Sequence, residues 1–412
     1  MKRYGYLWEK FATVQNAERA IMLGTANKRR NHHVQRKLCY DTLDPDKRYQ
    51  LDPEKVRRYA QKVVTMLESD WTHGEMRKKK ICPPRGKERD IDSPCLTDHI
   101  IHWMVILTIQ DALMRGMYAH TCGSIPNRGI ESARKIVEKW AQEDGKAKYF
   151  VKLDIRKFYP NIDQEILKAK FRRLIKDERM LKVIDEIIAS VPKGLPIGTY
   201  TSQWFANFYL QSLDHYITQG IYKTRRGKRI ALVKHYTRYM DDMLLMGTSK
   251  ADLKKAVRAV MRYCRKELHI GIKPAWEIQE IAECRYTEDG KRIIEKGKAP
   301  IDIVGYRFFK NRTEARAKVY LNARRVLKRA DKTIKEQGYI TLRQAQSLSS
   351  VLGWFTHADC QAWVRMACRT INTNFVRRVI AYAATNRIDR PAARVFCDRG
   401  RKAGDYRILY GC

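Results

Sequence analysis

Two adjacent carboxylates, Asp241 and Asp242, sit between two apolar runs, Ala231-Leu-Val-Lys-His-Tyr-Thr-Arg-Tyr239 and Met243-Leu-Leu-Met-Gly247. Aspartate pairs are at home in turns. A surface turn, however, does not need two nearly continuous apolar flanks, so the pattern reads as strand, tight turn, strand. An earlier segment, Lys148-Tyr-Phe-Val-Lys-Leu-Asp154, reads as a strand that ends in a third carboxylate. If the hairpin pairs beside that strand, the three carboxylates converge. Hard oxygen ligands in a small cluster suit Mg²⁺, which keeps several waters and takes its remaining ligands from substrate phosphates. Two such ions about 3.5–4 Å apart can activate an attacking oxygen and stabilise a leaving one.

The charge balance narrows the substrate. Of the 412 residues, 83 are Lys or Arg and 45 are Asp or Glu, giving a formal net charge of +38. Such an excess repels itself unless something anionic neutralises it, and nucleic acid is the leading candidate. A nucleoside triphosphate and a nucleic-acid end are then the natural substrates for the carboxylates. The apolar fraction of 44% and the charged fraction of 31% are those of a globular chain. No apolar run approaches the length of a spanning helix, so no membrane partner is expected. The N-terminus lacks the features of a secretory signal. The ten cysteines form no C-x-x-C pair and read as reduced, so the expected location is cytoplasmic. His73, His99, His102 and His235 show no metal-ligand spacing and read as structural or surface residues.

Periodicity organises the rest. Residues 1–70 read as mostly helical. Residues 77–94 are basic and broken by Pro and Gly, as in a hairpin or exposed loop. Buried or amphipathic helices are expected over 98–114, 131–141, 163–190 and 201–216, and a basic helix over 250–268. Residues 301–309 read as a strand. Beyond 311 the pattern is helical and cationic, with an amphipathic helix over 342–356 and an irregular basic tail at the end.

Five segments, in order, resemble the motifs of reverse transcriptases. Tyr239-Met-Asp-Asp242 is similar to the Y-x-D-D box, and Phe150-Val-Lys-Leu-Asp154-Ile-Arg-Lys-Phe-Tyr-Pro-Asn-Ile-Asp163 to the first catalytic box. Arg89-Asp-Ile-Asp-Ser-Pro94, followed by Asp98 and His102, is similar to R-x-I-x-x-P then D-x-x-x-H. Gly123-Ser-Ile-Pro-Asn-Arg-Gly129 and Val304-Gly305-Tyr306 resemble two further family segments. The resemblance implies an α+β right-hand polymerase fold with an antiparallel palm sheet and a helical thumb. N-terminal helices and fingers would occupy 1–145, and the palm 146–162 and 196–310, with 163–195 a fingers insertion between the two palm segments. The thumb would follow over 311–385, and a basic tail over 386–412. Asp154, Asp241 and Asp242 would hold two Mg²⁺ ions, or Mn²⁺ in their place, helped by the backbone carbonyl of Ile155. Tyr159 would lie under the incoming sugar, Arg89 would contact the triphosphate, and Lys273 would protonate the leaving pyrophosphate. Gly305 and Tyr306 would grip the primer end. Template RNA, the RNA–DNA duplex and dNTPs are the implied partners.

Gly194-Leu-Pro-Ile197-Gly198-Thr-Tyr-Thr-Ser202-Gln203 departs from the common pattern, in which a Gln-Gly pair stands where Ile197-Gly198 stands here. It resembles the variant box of diversity-generating retroelement enzymes. Those enzymes copy a template-repeat RNA with errors at adenines and work with a small basic accessory protein, in bacteria or phage. Ile197, Gly198 and Gln203 thereby become expected nucleotide-site residues. Gln both donates and accepts hydrogen bonds beside a base pair, whereas Ile does neither, which relaxes discrimination. The alternative is another bacterial lineage: group II intron-like, retron or abortive-infection type.

Overall fold

The computed structural model describes residues 3–44, 47–82, 88–143, 145, 147–289, 292–337, 339–368, 376–377, 380–381, 394–396 and 408–409. The chain divides into two compact units. One comprises residues 1–133 and 149–278, and the other residues 134–148 and 279–412.

The first unit opens with helices, the longest being Val14–Gly24 and Pro53–Glu68. Their starts are written in the sequence. Thr13 Oγ1 accepts from the Asn16 N–H, and Asp52 accepts from the Glu54 and Lys55 N–H groups ahead of Pro53. Both helices share a core with Leu96–Arg115, a helix buried on nearly every side through Ile100, Ile101, Met104, Val105, Ile106 and Ile109. Between these helices the strands Arg77–Ile81 (β1) and Arg89–Ser93 (β2) pair antiparallel, the hairpin expected from the basic segment.

The strand ending in Asp154 and the hairpin around Asp241 and Asp242, both read from the sequence, are present. Strand β3 is Thr121–Cys122 and β4 is Tyr149–Asp154. Tyr222–Arg225 (β5) and Lys228–Ala231 (β6) form a separate exposed ribbon. His235–Tyr239 (β7) and Asp242–Gly247 (β8) flank the aspartates. Residues 231–239 are therefore not one strand, because Ala231 closes the cationic ribbon before β7 begins. Strand β8 pairs antiparallel with both β4 and β7, in the register Asp154↔Asp242 and Tyr239↔Asp242. The sheet is mixed rather than purely antiparallel, because the two-residue edge strand β3 joins β7 in parallel. Helix Tyr200–His215 lies in the same core, with Trp204, Phe205, Ala206, Tyr209 and Leu210 all at most 1% exposed.

In the second unit, the segment 301–309 is a hairpin instead of one strand. Ile301–Ile303 turns back as Tyr306–Phe308, which pairs with Thr313–Ala315. The turn residues Val304 and Gly305 have φ of +46° and +88°. A β-branched residue is a steric outlier there, while Gly is not. The run of apolar residues hid this reversal, since strand propensity is blind to two residues of left-handed backbone. Helix Ala317–Gln337 and helix Leu342–Gly353 share a core of Leu327, Ala330, Ala345 and Leu348. Thr341 and Gln344 form a reciprocal capping box at the second helix. Most of the tail expected over 386–412 lies outside the described residues. Two short pieces are strands, Arg394–Phe396 paired with Tyr339–Thr341 and Ile408–Leu409 paired with Arg394–Phe396, so the tail is not wholly irregular. No helix among the described residues is long and apolar enough to cross a membrane.

Two buried imidazoles on the Leu96–Arg115 helix make the first unit acid-sensitive. Burial, reinforced by the Lys28 ammonium, lowers the His99 pKa to about 4. Burial also holds His102 well below its ordinary value. Both are neutral when folded and take up protons on unfolding. Their contribution is complete above the unfolded value of about 6.5. The His99 part is lost as pH falls from there towards about 4, at a cost of about 3 kcal/mol, and the His102 part is lost in the same direction. Urea midpoints measured from pH 7 to pH 4.5 should fall steeply in the parent and less steeply in His99→Gln.

Candidate active site

The turn between β7 and β8 carries Met240 at φ +55° and Asp241. The left-handed residue makes the reversal tight enough for Asp242 to begin β8 directly. Asp154 and Asp242 are cross-strand partners, so their side chains emerge on one face of the sheet. Burial raises the Asp241 carboxyl above its ordinary value, and the nearby Asp242 and Asp154 carboxylates push the same way. One oxygen of Asp154, Oδ1, is buried without a hydrogen-bond partner among the described residues. The other accepts from Lys273 Nζ at 2.5 Å. That bond raises the Lys273 ammonium above its usual range, and the other two aspartates add to it. The Lys273 N–H also donates to the Asp154 carbonyl, at 2.9 Å.

These groups fit a divalent cation. The donors are hard oxygens, they crowd one another, and one is left unpartnered. Among the described residues no three His, Cys, Asp or Glu side chains form a ready-made cage. An ion here would thus take ligands from water and substrate as well. Ile155, 1% exposed, bridges to Ile272 through bonds made by its neighbours, Arg156 N–H to Gly271 O and Lys273 N–H to Asp154 O. Its own carbonyl takes no part in that pairing. Tyr159 packs half-buried against the core next to Phe158, and burial together with the Asp241 charge raises its hydroxyl pKa.

Residues that motif reading missed hold the turn. Arg238 is 0% exposed and Asp214, from helix Tyr200–His215, 1%. They meet in two parallel bonds, Nε to Oδ1 at 2.8 Å and Nη2 to Oδ2 at 2.6 Å. Tyr236 and Thr121 hydroxyls donate to the same carboxylate. Arg238 Nη1 then donates to the Met240 carbonyl at 2.8 Å and to Asn207 Oδ1 at 2.9 Å. Asn207 in turn donates to the Gly123 carbonyl. Gly123 has φ +91°, and a Cβ there would lie 2.9 Å from Met240 Cγ. The Gly-Ser-Ile-Pro segment therefore supplies a backbone surface on which the Met240 side chain rests. A buried Arg two residues before Met240 was the available signal, but one Arg among so many cations carries no mark.

The Ile197 to Gln203 segment docks on the β1–β2 hairpin. The Ile197 N–H donates to Asp92 Oδ2 at 3.0 Å, and the Asp92 N–H to the Ile197 carbonyl at 2.8 Å. Gly198 has φ +109°, and a Cβ there would sit 2.4 Å from Ile91 Cγ2. Gln203 is half-buried in the first turn of helix Tyr200–His215, and Arg89 is exposed in β2. Behind the segment runs a histidine pair. His73 Nδ1 lies 2.5 Å from the Gly74 carbonyl, so it carries the proton. Its Nε2 lies 3.0 Å from His102 Nε2, and His102 Nδ1 lies 2.7 Å from the Thr201 hydroxyl. These two histidines thus link the chain before β1 to the start of helix Tyr200–His215. Gly305 and Tyr306 belong to the second unit, where a Cβ on Gly305 would lie 2.4 Å from Trp354 Cζ3 and the Tyr306 and Trp354 rings are 5.4 Å apart.

Residues 76–275, just under half of the chain, match the family model described as reverse transcriptase (RNA-dependent DNA polymerase). A retron Ec73 reverse transcriptase from Escherichia coli is 27% identical over 200 residues, covering 47% of this chain and 59% of the relative. The group II intron-encoded protein LtrA of Lactococcus lactis is 27% identical over 143 residues, 32% of this chain and 23% of that protein. The matched regions thus span less than two thirds of either relative. A telomerase structure from Candida albicans aligns over 78% of this chain and 59% of its own, with a TM-score of 0.44 and 12% identity.

Removing one partner of the buried ion pair strands the other charge. Asp214→Ala should cost about 3–5 kcal/mol in urea unfolding. The Arg238→Met, Asp214→Leu double variant should recover part of that loss, because it leaves no unpaired charge.

Proposed function

We propose that the chain is an RNA-directed DNA polymerase. The observation that carries this reading is the register of the sheet, in which Asp154 stands opposite Asp242 with Asp241 in the adjoining turn. The reverse transcriptase match over residues 76–275 and the net charge of +38 support it. The sheet that holds β3, β4, β7 and β8 is the palm in this reading, the β1–β2 hairpin part of the fingers, and the helices after 311 the thumb. Asp154, Asp241, Asp242 and the Ile155 carbonyl would hold two Mg²⁺ ions, or Mn²⁺. Such ions, when bound, would supply charge stabilisation for in-line nucleotidyl transfer.

The chain's own residues do the rest. Arg89 binds the triphosphate. Tyr159 forms the floor under the sugar and excludes a 2′-hydroxyl. Ile197, Gly198 and Gln203 border the nascent pair, and Gly305 and Tyr306 hold the primer end. Lys273, an ammonium already drawn into the aspartate cluster, gives a proton to the departing pyrophosphate. Cationic side chains track the phosphates of template and duplex without reading sequence. The location is cytoplasmic.

The Ile197-to-Gln203 box supports a mutagenic retroelement enzyme that copies a template-repeat RNA with errors at adenines, beside a basic accessory protein. The retron and group II intron relatives favour the second reading, a polymerase of one of those lineages. The purified chain should make cDNA on an RNA template, and Asp241→Ala should reduce this at least about a hundredfold. Failure of the parent under Mg²⁺ and Mn²⁺, with cognate RNA and accessory protein supplied, would sink the polymerase reading. Sequencing the products separates the lineages. The retroelement enzyme concentrates errors opposite adenines, and Ile197→Gln lowers them; an unchanged error rate in that variant counts against the role given to Ile197.

A further inference from the structure

The reciprocal bond between Asp92 and Ile197 joins residues 105 positions apart. One half is backbone to backbone and survives any side-chain change; the other needs the Asp92 carboxylate. Gly198 lets the segment lie flat against β2, since any Cβ would drive into Ile91. From there the chain passes directly into a rigid helix end. Thr199 Oγ1 accepts from the Ser202 N–H at 3.3 Å, and the Thr201 hydroxyl is held by His102. The segment is therefore pinned at both ends, and Ile197 sits at the end that Asp92 controls. Arg89 is three residues from Asp92 on the same strand, about 10 Å along it. One strand thus carries both the proposed triphosphate ligand and the anchor of the proposed base-pair wall.

We propose that Asp92 is a positioning residue that sets nucleotide selectivity. It fixes the backbone of Ile197 against β2, so that the wall beside the nascent pair cannot recede to admit a mismatched geometry. This rests on the polymerase reading and on Ile197 bordering the pair. A hydrogen bond to a charged acceptor is the size of effect that changes a ratio about tenfold.

The test compares Asp92→Ala with Asp92→Asn, whose side-chain carbonyl still accepts from the Ile197 N–H. Steady-state incorporation of correct and incorrect dNTPs on an RNA template gives the discrimination ratio. Asp92→Ala should raise KM for the correct dNTP and lower discrimination about tenfold, with a smaller effect on turnover at saturating nucleotide. Asp92→Asn should restore both towards the parent. An Ala variant with lowered Tm but parental discrimination, or Ala and Asn variants that behave alike, would overturn the proposal. Amide hydrogen exchange over residues 194–200 provides a readout that needs no activity. Exchange there should quicken in Asp92→Ala and not in Asp92→Asn, and equal protection in the parent and the Ala variant also overturns the proposal. Absent cDNA synthesis by the parent is a failure of the polymerase reading, and exchange then decides whether the anchor is real.

Discussion

The ion pair between Arg238 and Asp214 is the constraint on which the aspartate turn depends. Burying both charges costs several kcal/mol each, and the pair alone recovers little of that. What justifies it is geometry. Arg238 is planar and carries five donors in a fixed fork. Two donors grip Asp214, and another reaches both the Met240 carbonyl and Asn207. A left-handed residue in the turn is thereby held by a group that cannot easily rotate. The helix that supplies Asp214 and Asn207 also begins at the segment carrying Ile197 and Gln203. One helix therefore fixes the carboxylate turn at one level and the docking segment at another.

Around that frame the electrostatics are deliberately unbalanced. Three carboxylates share a small region, and burial pushes Asp241 towards protonation. Lys273 relieves the crowding at a single oxygen of Asp154. A carboxylate cluster of this kind stores unfavourable energy that a cation can release, and the surrounding core has to supply the stability. It does so with a densely apolar interior running from the N-terminal helices through the sheet to helix Lys250–Glu267.

Local patterns were legible where side-chain chemistry and periodicity agree. The strand ending in Asp154, the hairpin around Asp241 and Asp242, and the basic hairpin over 77–94 could all be read from the chain. Anything that depends on backbone conformation or on distant partners was not. The reversal at Val304 and Gly305 sits within an apolar run that looks like one strand. Arg238 is one cation of 83 and becomes distinctive only once its burial is known. Asp92 looked like a filler position in a motif, because its partner lies more than a hundred residues away. His73 and His102 lacked metal spacing, and the structure gives them a different task, a hydrogen-bonded link to Thr201. The roles of Arg89 and Tyr159 rest on the motif alone, since an exposed Arg and a half-buried Tyr have many ordinary explanations.

The interrupted chain path of the first unit has a kinetic consequence. Its residues 1–133 are separated from 149–278 by a stretch that belongs to the other unit. Strand β4 leaves the ribosome long before its partner β8, and the Ile155–Ile272 bridge waits longer still. The central sheet therefore closes late, through contacts of long sequence separation that form slowly. Until then, β4 presents unpaired backbone and an apolar face to the cell, which exposes the nascent chain to aggregation. Arg238 and Asp214, translated 24 residues apart, are well placed to bring β7 onto its helix before the remaining strands arrive.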